Sequence, residues 1–172
     1  MVILKGNGIV LRPYRSGDEA SLQENINNKD IYKYTSVIPY PYTLKMAREW
    51  VKECQGRERQ KKKTSVNFAI TLGDMVIGGI GLGKIEGHKA VLGYWLGRRY
   101  WGKGIMTGSV RLVTKYAFTK LRLKRISAQV FLGNKASRRV LQKNRFSYEG
   151  YLRKYVQKEG KLLDAWMYAK IR

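Results

Sequence analysis

Apolar positions in this chain recur first at helical spacing and then at strand spacing. Ile9-Val10-Leu11-Arg12-Pro13 reads as an early strand. Ser16-Gly17-Asp18-Glu19 has the serine-to-glutamate spacing of a capping box, so a helix is expected from there to about Asn27. The aperiodic, tyrosine-rich segment Tyr32–Tyr42 follows, with Pro39 and Pro41. Thr43 then caps a second helix to about Gln55, whose apolar stripe is Leu44, Ala47, Trp50, Val51 and Cys54. The charged run Arg57–Lys63 is expected to be a loop or a frayed helix end.

Beyond that run the period shortens. Val66–Leu72 and Met75–Leu82 flank Gly73-Asp74, which reads as a hairpin. Ala90–Leu96 is the next strand. Ile105–Lys120 is a helix with Ile105, Leu112, Val113, Tyr116 and Ala117 on one side and Ser109 interrupting the stripe. Ile126–Leu132 alternates like a strand. Asn134–Asn144 is a short helix with Asn134 as N-cap, and Phe146–Arg153 and Leu162–Ile171 are two final strands. This order predicts one α/β domain over 1–172: a mixed, mostly antiparallel twisted sheet with helices on both faces.

Composition narrows the chemistry. Hydrophobic residues make up 44% of the chain and charged residues 27%, as in ordinary globular domains. Cys54 is the sole cysteine and His88 the sole histidine, which argues against a disulfide, a thiolate cluster or a histidine-rich metal site. The apolar run at Met1-Val2-Ile3-Leu4 is too short for a signal peptide, and no run is long enough to cross a bilayer, so an intracellular, cytoplasmic location without membrane contact is expected. The net charge is +23 and unevenly placed. Residues 1–86 carry 14 basic and 9 acidic side chains, and residues 87–172 carry 21 and 3. The second half should attract polyanions, so proximity to RNA or the ribosome stands beside the plainer reading of a solvated basic surface.

The most informative stretch is Arg99-Tyr100-Trp101-Gly102-Lys103-Gly104. It joins a strand to a helix with two glycines two residues apart. Glycine lets a backbone approach an anion closely, and a helix start offers unpaired N–H groups and a partial positive charge. A phosphorylated ligand is therefore expected here, with Lys103 beside it.

The ordered set Leu11-Arg12-Pro13, Pro41-Tyr42-Thr43, Ile77-Gly78-Gly79-Ile80-Gly81, Gly93-Tyr94-Trp95-Leu96, Arg99–Gly104 and Asn134-Lys135-Ala136-Ser137 through Phe146 resembles the GNAT superfamily of N-acetyltransferases. Within it the likeness is to the RimJ/RimL-like branch, which acetylates ribosomal-protein N-termini, and it runs over nearly the whole chain. The resemblance implies acetyl-CoA as donor and a primary amine as acceptor. It implies that backbone N–H groups around Arg99, Trp101, Gly102, Lys103, Gly104 and Ile105 cradle the pyrophosphate. It also implies that the strand ending at Trp95 and Leu96 splays from Ile126–Leu132 to admit the pantetheine arm, with an N–H near Trp95 or Leu96 serving the oxyanion. Asn134 would bond the cofactor or its ordered water, and Ser137 would be the acid for the leaving thiolate. Arg138, Arg139 and Lys143, on the short helix after Ser137, are placed either to meet the adenosine 3′-phosphate or to face solvent.

The proton acceptor departs from the family. Where relatives place glutamates, this chain reads Ala90-Val91-Leu92 and Lys154-Tyr155-Val156. Glu149, Glu159 and Tyr94 remain as candidates, or water relays the proton. A second departure is Asn144-Arg145-Phe146, where the family has glycine before phenylalanine; Asn144 is the natural residue to take the left-handed position there. Tyr34, Tyr40, Tyr42 and Tyr94 are expected to line the acceptor site. The acceptor itself is expected to be a protein α-amino group, with a polyamine or aminoglycoside, drawn by Asp18, Glu19, Glu24 and Asp30, as the alternative. A non-catalytic RNA-docking module is the third reading. The chain is expected to act as a monomer or homodimer.

Overall fold

The computed structural model describes residues 2–6, 8–60 and 62–172; Met1 of the N-terminal run and Lys61 of the charged run lie outside them. The strands are β1 (Leu4–Gly6), β2 (Ile9–Arg12), β3 (Val66–Leu72), β4 (Met75–Glu86), β5 (Lys89–Leu96), β6 (Arg125–Phe131), β7 (Ser147–Lys158) and β8 (Lys161–Ile171). The helices are α1 (Glu19–Ile26), α2 (Lys29–Lys33), α3 (Leu44–Arg59), α4 (Ile105–Thr119) and α5 (Lys135–Lys143). One eight-stranded sheet runs β1-β2-β3-β4-β5-β6-β8-β7. Every neighbouring pair is antiparallel except β5–β6, which α4 joins as a parallel crossover. No helix among the described residues is long and apolar enough to cross a membrane.

Strand alternation divides the core between the two faces. Phe68, Ile70 and Ile77 pack toward Val110, Val113 and Ala117 of α4 and Leu141 of α5. Ala69 and Val76 face the other way, toward Leu22 and Ile26 of α1 and Ala47, Val51 and Cys54 of α3. The buried side of α4 is Met106, Ser109, Val110, Val113, Thr114 and Ala117, turned from the stripe read in the sequence. The two hydroxyls are tolerated because each bonds its own helix: Ser109 donates to Ile105 O at 2.9 Å and Thr114 to Val110 O at 2.8 Å.

Three local expectations are corrected. The capping box does not form. Asp18 is the N-cap, but its carboxylate turns back to a buried bidentate pair with Arg12, at 2.7 and 2.8 Å, and accepts from Arg15 N. Breaking that pair strands a buried charge, at about 3–5 kcal/mol. The five-residue α2 begins ahead of the tyrosine-rich segment, capped by Asn28. Finally, Arg145 (φ 60°), not Asn144, takes the left-handed turn after α5. The Asn144 side chain is needed inward, donating to Thr107 O at 3.1 Å and Val140 O at 2.9 Å.

Candidate active site

β5 and β6 pair only over Lys89↔Arg125, Ala90↔Ile126 and Val91↔Ser127. Beyond those residues they part: β5 continues on β4 to Leu96, and β6 continues on β8 to Phe131. The result is the expected splay, a gap with one unpaired edge on each side. Gly97 N donates to Ile77 O at 2.8 Å, which sets the alternation along β5. Gly93 and Trp95 bond to β4, while Leu92, Tyr94 and Leu96 turn their main-chain groups to the gap. The Trp95 amide therefore faces Gly79, and the gap-side donors are the N–H groups of Tyr94 and Leu96. The Trp95 ring packs on the α1–α3 side, so close to Gly79 that a Cβ there would collide with the indole nitrogen.

The phosphate-binding stretch stands at the open end of this gap. A single 3₁₀ turn, Arg98–Tyr100, follows β5. Trp101 then staples the loop to the strand, its indole N–H donating to Leu96 O at 2.6 Å. Its own amide donates to Arg98 O at 3.3 Å, and the Arg99 guanidinium pairs with Glu24 of α1. Both Trp101 N–H groups are thus taken within the loop, and the Arg99 side chain stands in an exposed ion pair. The run of donors that leads into α4 begins at Gly102. Gly102 (φ 77°) and Gly104 (φ 75°) are both left-handed, and Gly104 is an N-cap without a side chain. The first helical bond of α4 runs from Gly108 N to Gly104 O at 3.0 Å, so the amides of Ile105, Met106 and Thr107 precede the ladder. Met106 and Thr107 were not singled out from sequence, although any first helical turn carries that signal. Lys103 is exposed, its ammonium 5.8 Å from the Tyr100 ring centre.

α5 enters from the other side of the gap. Asn134 caps it by accepting from Ser137 N at 3.0 Å. The Ser137 and Tyr94 hydroxyls lie 2.8 Å apart, and Tyr94 also donates to Ser137 O at 3.4 Å. Burial pushes the Tyr94 phenol up to about 12, partly offset by the Ser137 bond, so it is protonated at neutral pH. The Arg138 guanidinium sits 5.6 Å from the Trp166 ring centre, on the side of α5 that faces β8.

The remaining candidates separate. Glu149 stands on β7, with β8 and β6 between it and the gap, and Arg125 clamps its carboxylate and lowers its pKa. It cannot take a proton in the gap. Tyr42 is 7% exposed within the α1–α3 cluster, its phenol pushed up to about 12 by burial; it is a core residue. Tyr40 is exposed, its ring 6.0 Å from that of Tyr32. Tyr34 packs against Phe131 and Val156. A Cβ on Gly133, beside Asn134, would meet its hydroxyl at 3.7 Å. Glu159 accepts from Tyr32 at the β7–β8 hairpin tip. Lys158, next to it, donates to the Tyr32 and Thr35 carbonyls, tying the α2 segment across to the hairpin.

An open strand edge, a left-handed glycine pair and an uncapped helix start make a donor set suited to a diphosphate with an amide-bearing arm. The model of the acetyltransferase (GNAT) domain matches residues 9–147. The chain belongs to the GNAT acetyltransferase family. The probable N-acetyltransferase YjcK of Bacillus subtilis strain 168 is 39% identical over 166 residues, spanning 92% of this chain and 91% of that protein. RimJ of Mycobacterium smegmatis, solved in complex with CoA-disulfide, is 25% identical with a TM-score of 0.84, covering 99% of this chain and 86% of its own. The ribosomal-protein-S5-alanine acetyltransferase of Vibrio fischeri shares the fold, with a TM-score of 0.85 at 23% identity, covering 99% and 97%. Acetyl-CoA is the donor in this family.

Proposed function

We propose that this GNAT acetyltransferase modifies the α-amino group of a protein N-terminus, with a ribosomal protein as the acceptor class. One observation carries the choice of amine. None of the residues along the gap (Leu92–Leu96, Ala128–Phe131, Asn134 and Ser137) bears a carboxylate or an imidazole. With no base beside it, the amine must arrive neutral. An α-amino group has a pKa near 8 and a lysine ammonium near 10.4, so at pH 7 the neutral α-amine is more abundant by a factor on the order of 100. Small polycations find little to hold them. Glu24 pairs with Arg99 and Asp30 with Arg98 at 3.1 Å, Glu19 accepts from Gly17 N at 2.8 Å, and Asp18 is buried against Arg12. The ribosomal choice is an extension from the fold, which the chain shares with the ribosomal-protein acetyltransferase of Vibrio fischeri.

Bound acetyl-CoA supplies a thioester carbonyl activated toward an amine. The chain's part is to hold and to move charge. The amides of Gly102 through Thr107 meet the diphosphate, and the gap edge of β5 orients the arm beyond it. The Leu96 or Tyr94 N–H stabilises negative charge as it develops on the carbonyl oxygen. Ser137, backed by the protonated Tyr94, gives a proton to the departing sulfur. The amine's own proton leaves through water.

The test measures thiol release with three acceptors: a peptide with a free α-amine, an Nα-blocked peptide with one lysine, and spermidine. At pH 7 the free α-amine should react with a kcat/KM on the order of 100-fold above the lysine, rising with pH to about 8. Equal or greater turnover of lysine or spermidine would overturn the assignment.

A further inference from the structure

The face of β8 and β7 beside α5 carries a pattern the acetyl-transfer site does not use. Trp166 and Tyr168 point to this face from β8, and in register beside them on the edge strand β7 stand Tyr151 and Tyr148. Simple alternation would put Tyr148 and Tyr151, three residues apart, on opposite faces. The bulge at Glu149 inserts one residue and brings both to the same side. Tyr148 is 55% exposed and Tyr151 46% exposed. Tyr148 leans on Tyr168 with ring centres 5.7 Å apart. Two tyrosines standing open on an edge strand, in line with a half-buried tryptophan, form a row of flat apolar surfaces.

Cations frame that row. Arg138 lies over Trp166. Arg145 and Arg111 crowd Lys170, the next residue on this face of β8. Arg153 lies near Tyr151 and Asp164. The one carboxylate here, Asp164, accepts from the Tyr151 hydroxyl at 2.5 Å and from Lys154 N at 2.6 Å. Of the other two acids in residues 87–172, Glu149 is clamped by Arg125 and Glu159 accepts from Tyr32. Exposed aromatic planes set among cations, of which Arg145 and Arg153 form no salt bridge among the described residues, suit a polyanion that also offers flat unpaired bases. We propose that this face binds single-stranded RNA, with Tyr148 and Tyr151 stacking on bases and Arg145 and Arg153 meeting phosphates.

The probe is a fluorescent oligouridylate of about 12 nucleotides, followed by anisotropy across a salt series. Tyr148→Ala and Tyr151→Ala should each weaken binding about tenfold with little change in salt slope, while Tyr151→Phe should bind as the parent does. The double variant Arg145→Gln/Arg153→Gln should lower the salt slope by about two phosphate contacts. Both alanine variants should keep the parent's acetyl-CoA turnover, which shows that they fold. The proposal falls if the oligomer does not bind, or if the tyrosine variants bind it unchanged. It falls equally if duplex RNA or polyglutamate competes as well as the single strand. Conversion of a dimer to a monomer by Tyr148→Ala, seen by sedimentation with RNA affinity unchanged, would assign the face to a second copy instead.

Discussion

α3 and α4 begin in opposite ways. The Thr43 hydroxyl accepts from Met46 N at 3.3 Å and closes the head of α3. α4 starts at left-handed Gly104, with no side chain to take its first amides. A side-chain cap adds about 1 kcal/mol of stability, and α4 forgoes it. What it keeps is a set of N–H groups and a partial positive charge aimed outward beside a splayed strand. α5 stands between the two: Asn134 takes the Ser137 amide and leaves the Ser137 hydroxyl to meet Tyr94. The heads of α3 and α5 are closed by their own caps; the open head of α4, unlike that of α1, stands beside the splayed strand, where a ligand can meet it.

The largest expected effect is at the head of α5. Ser137→Ala should lower kcat about 100-fold with the KM for acetyl-CoA unchanged. Burial keeps the Tyr94 phenol protonated to about pH 12, so kcat should show no alkaline limb from it below pH 10. A normal kcat for the alanine enzyme would remove Ser137 from the chemistry.

Next is the head of α4. An added Cβ at Gly104 meets nothing within 4 Å, so a substitution there acts through its backbone angle alone. Gly104→Ala should weaken coenzyme A about tenfold, because alanine disfavours the left-handed region by about 1–2 kcal/mol. Gly104→Asn should lose less, since asparagine tolerates that region.

The closed head gives the converse. Thr43→Ala should cost about 1 kcal/mol in denaturant unfolding and leave coenzyme A affinity as it was. A change in that affinity would mean that the two heads are coupled. The smallest effect is a gain. Arg145→Gly relieves a left-handed arginine and should stabilise the chain by up to about 1 kcal/mol, with turnover unchanged.

The open head of α4 was legible because its signal is local: strand, two spaced glycines, helix. The splay was not; it entered through the family likeness, because a gap between strands depends on where pairing stops. β1 and α2, three and five residues long, are too short to show a period. Tyr42 was misplaced for a related reason. Aromatic residues in an aperiodic segment give no phase, and only packing separates the buried Tyr42 from the exposed Tyr40. Glu149 reads as a free carboxylate until Arg125, 24 residues earlier in the chain, is seen holding it. At the end of α5, residue preference favoured Asn144 for the left-handed turn, and the pull of its side chain toward Thr107 O decided otherwise.

The central claim is that the amides heading α4 hold the diphosphate of the acyl donor. Calorimetric titration of coenzyme A and of pantetheine into the parent and into Gly104→Ala tests it directly. The account predicts tight binding of coenzyme A, much weaker binding of pantetheine, and a loss in the variant that falls on coenzyme A alone. Equal affinity for the two ligands, or an unchanged coenzyme A affinity in Gly104→Ala, would contradict it.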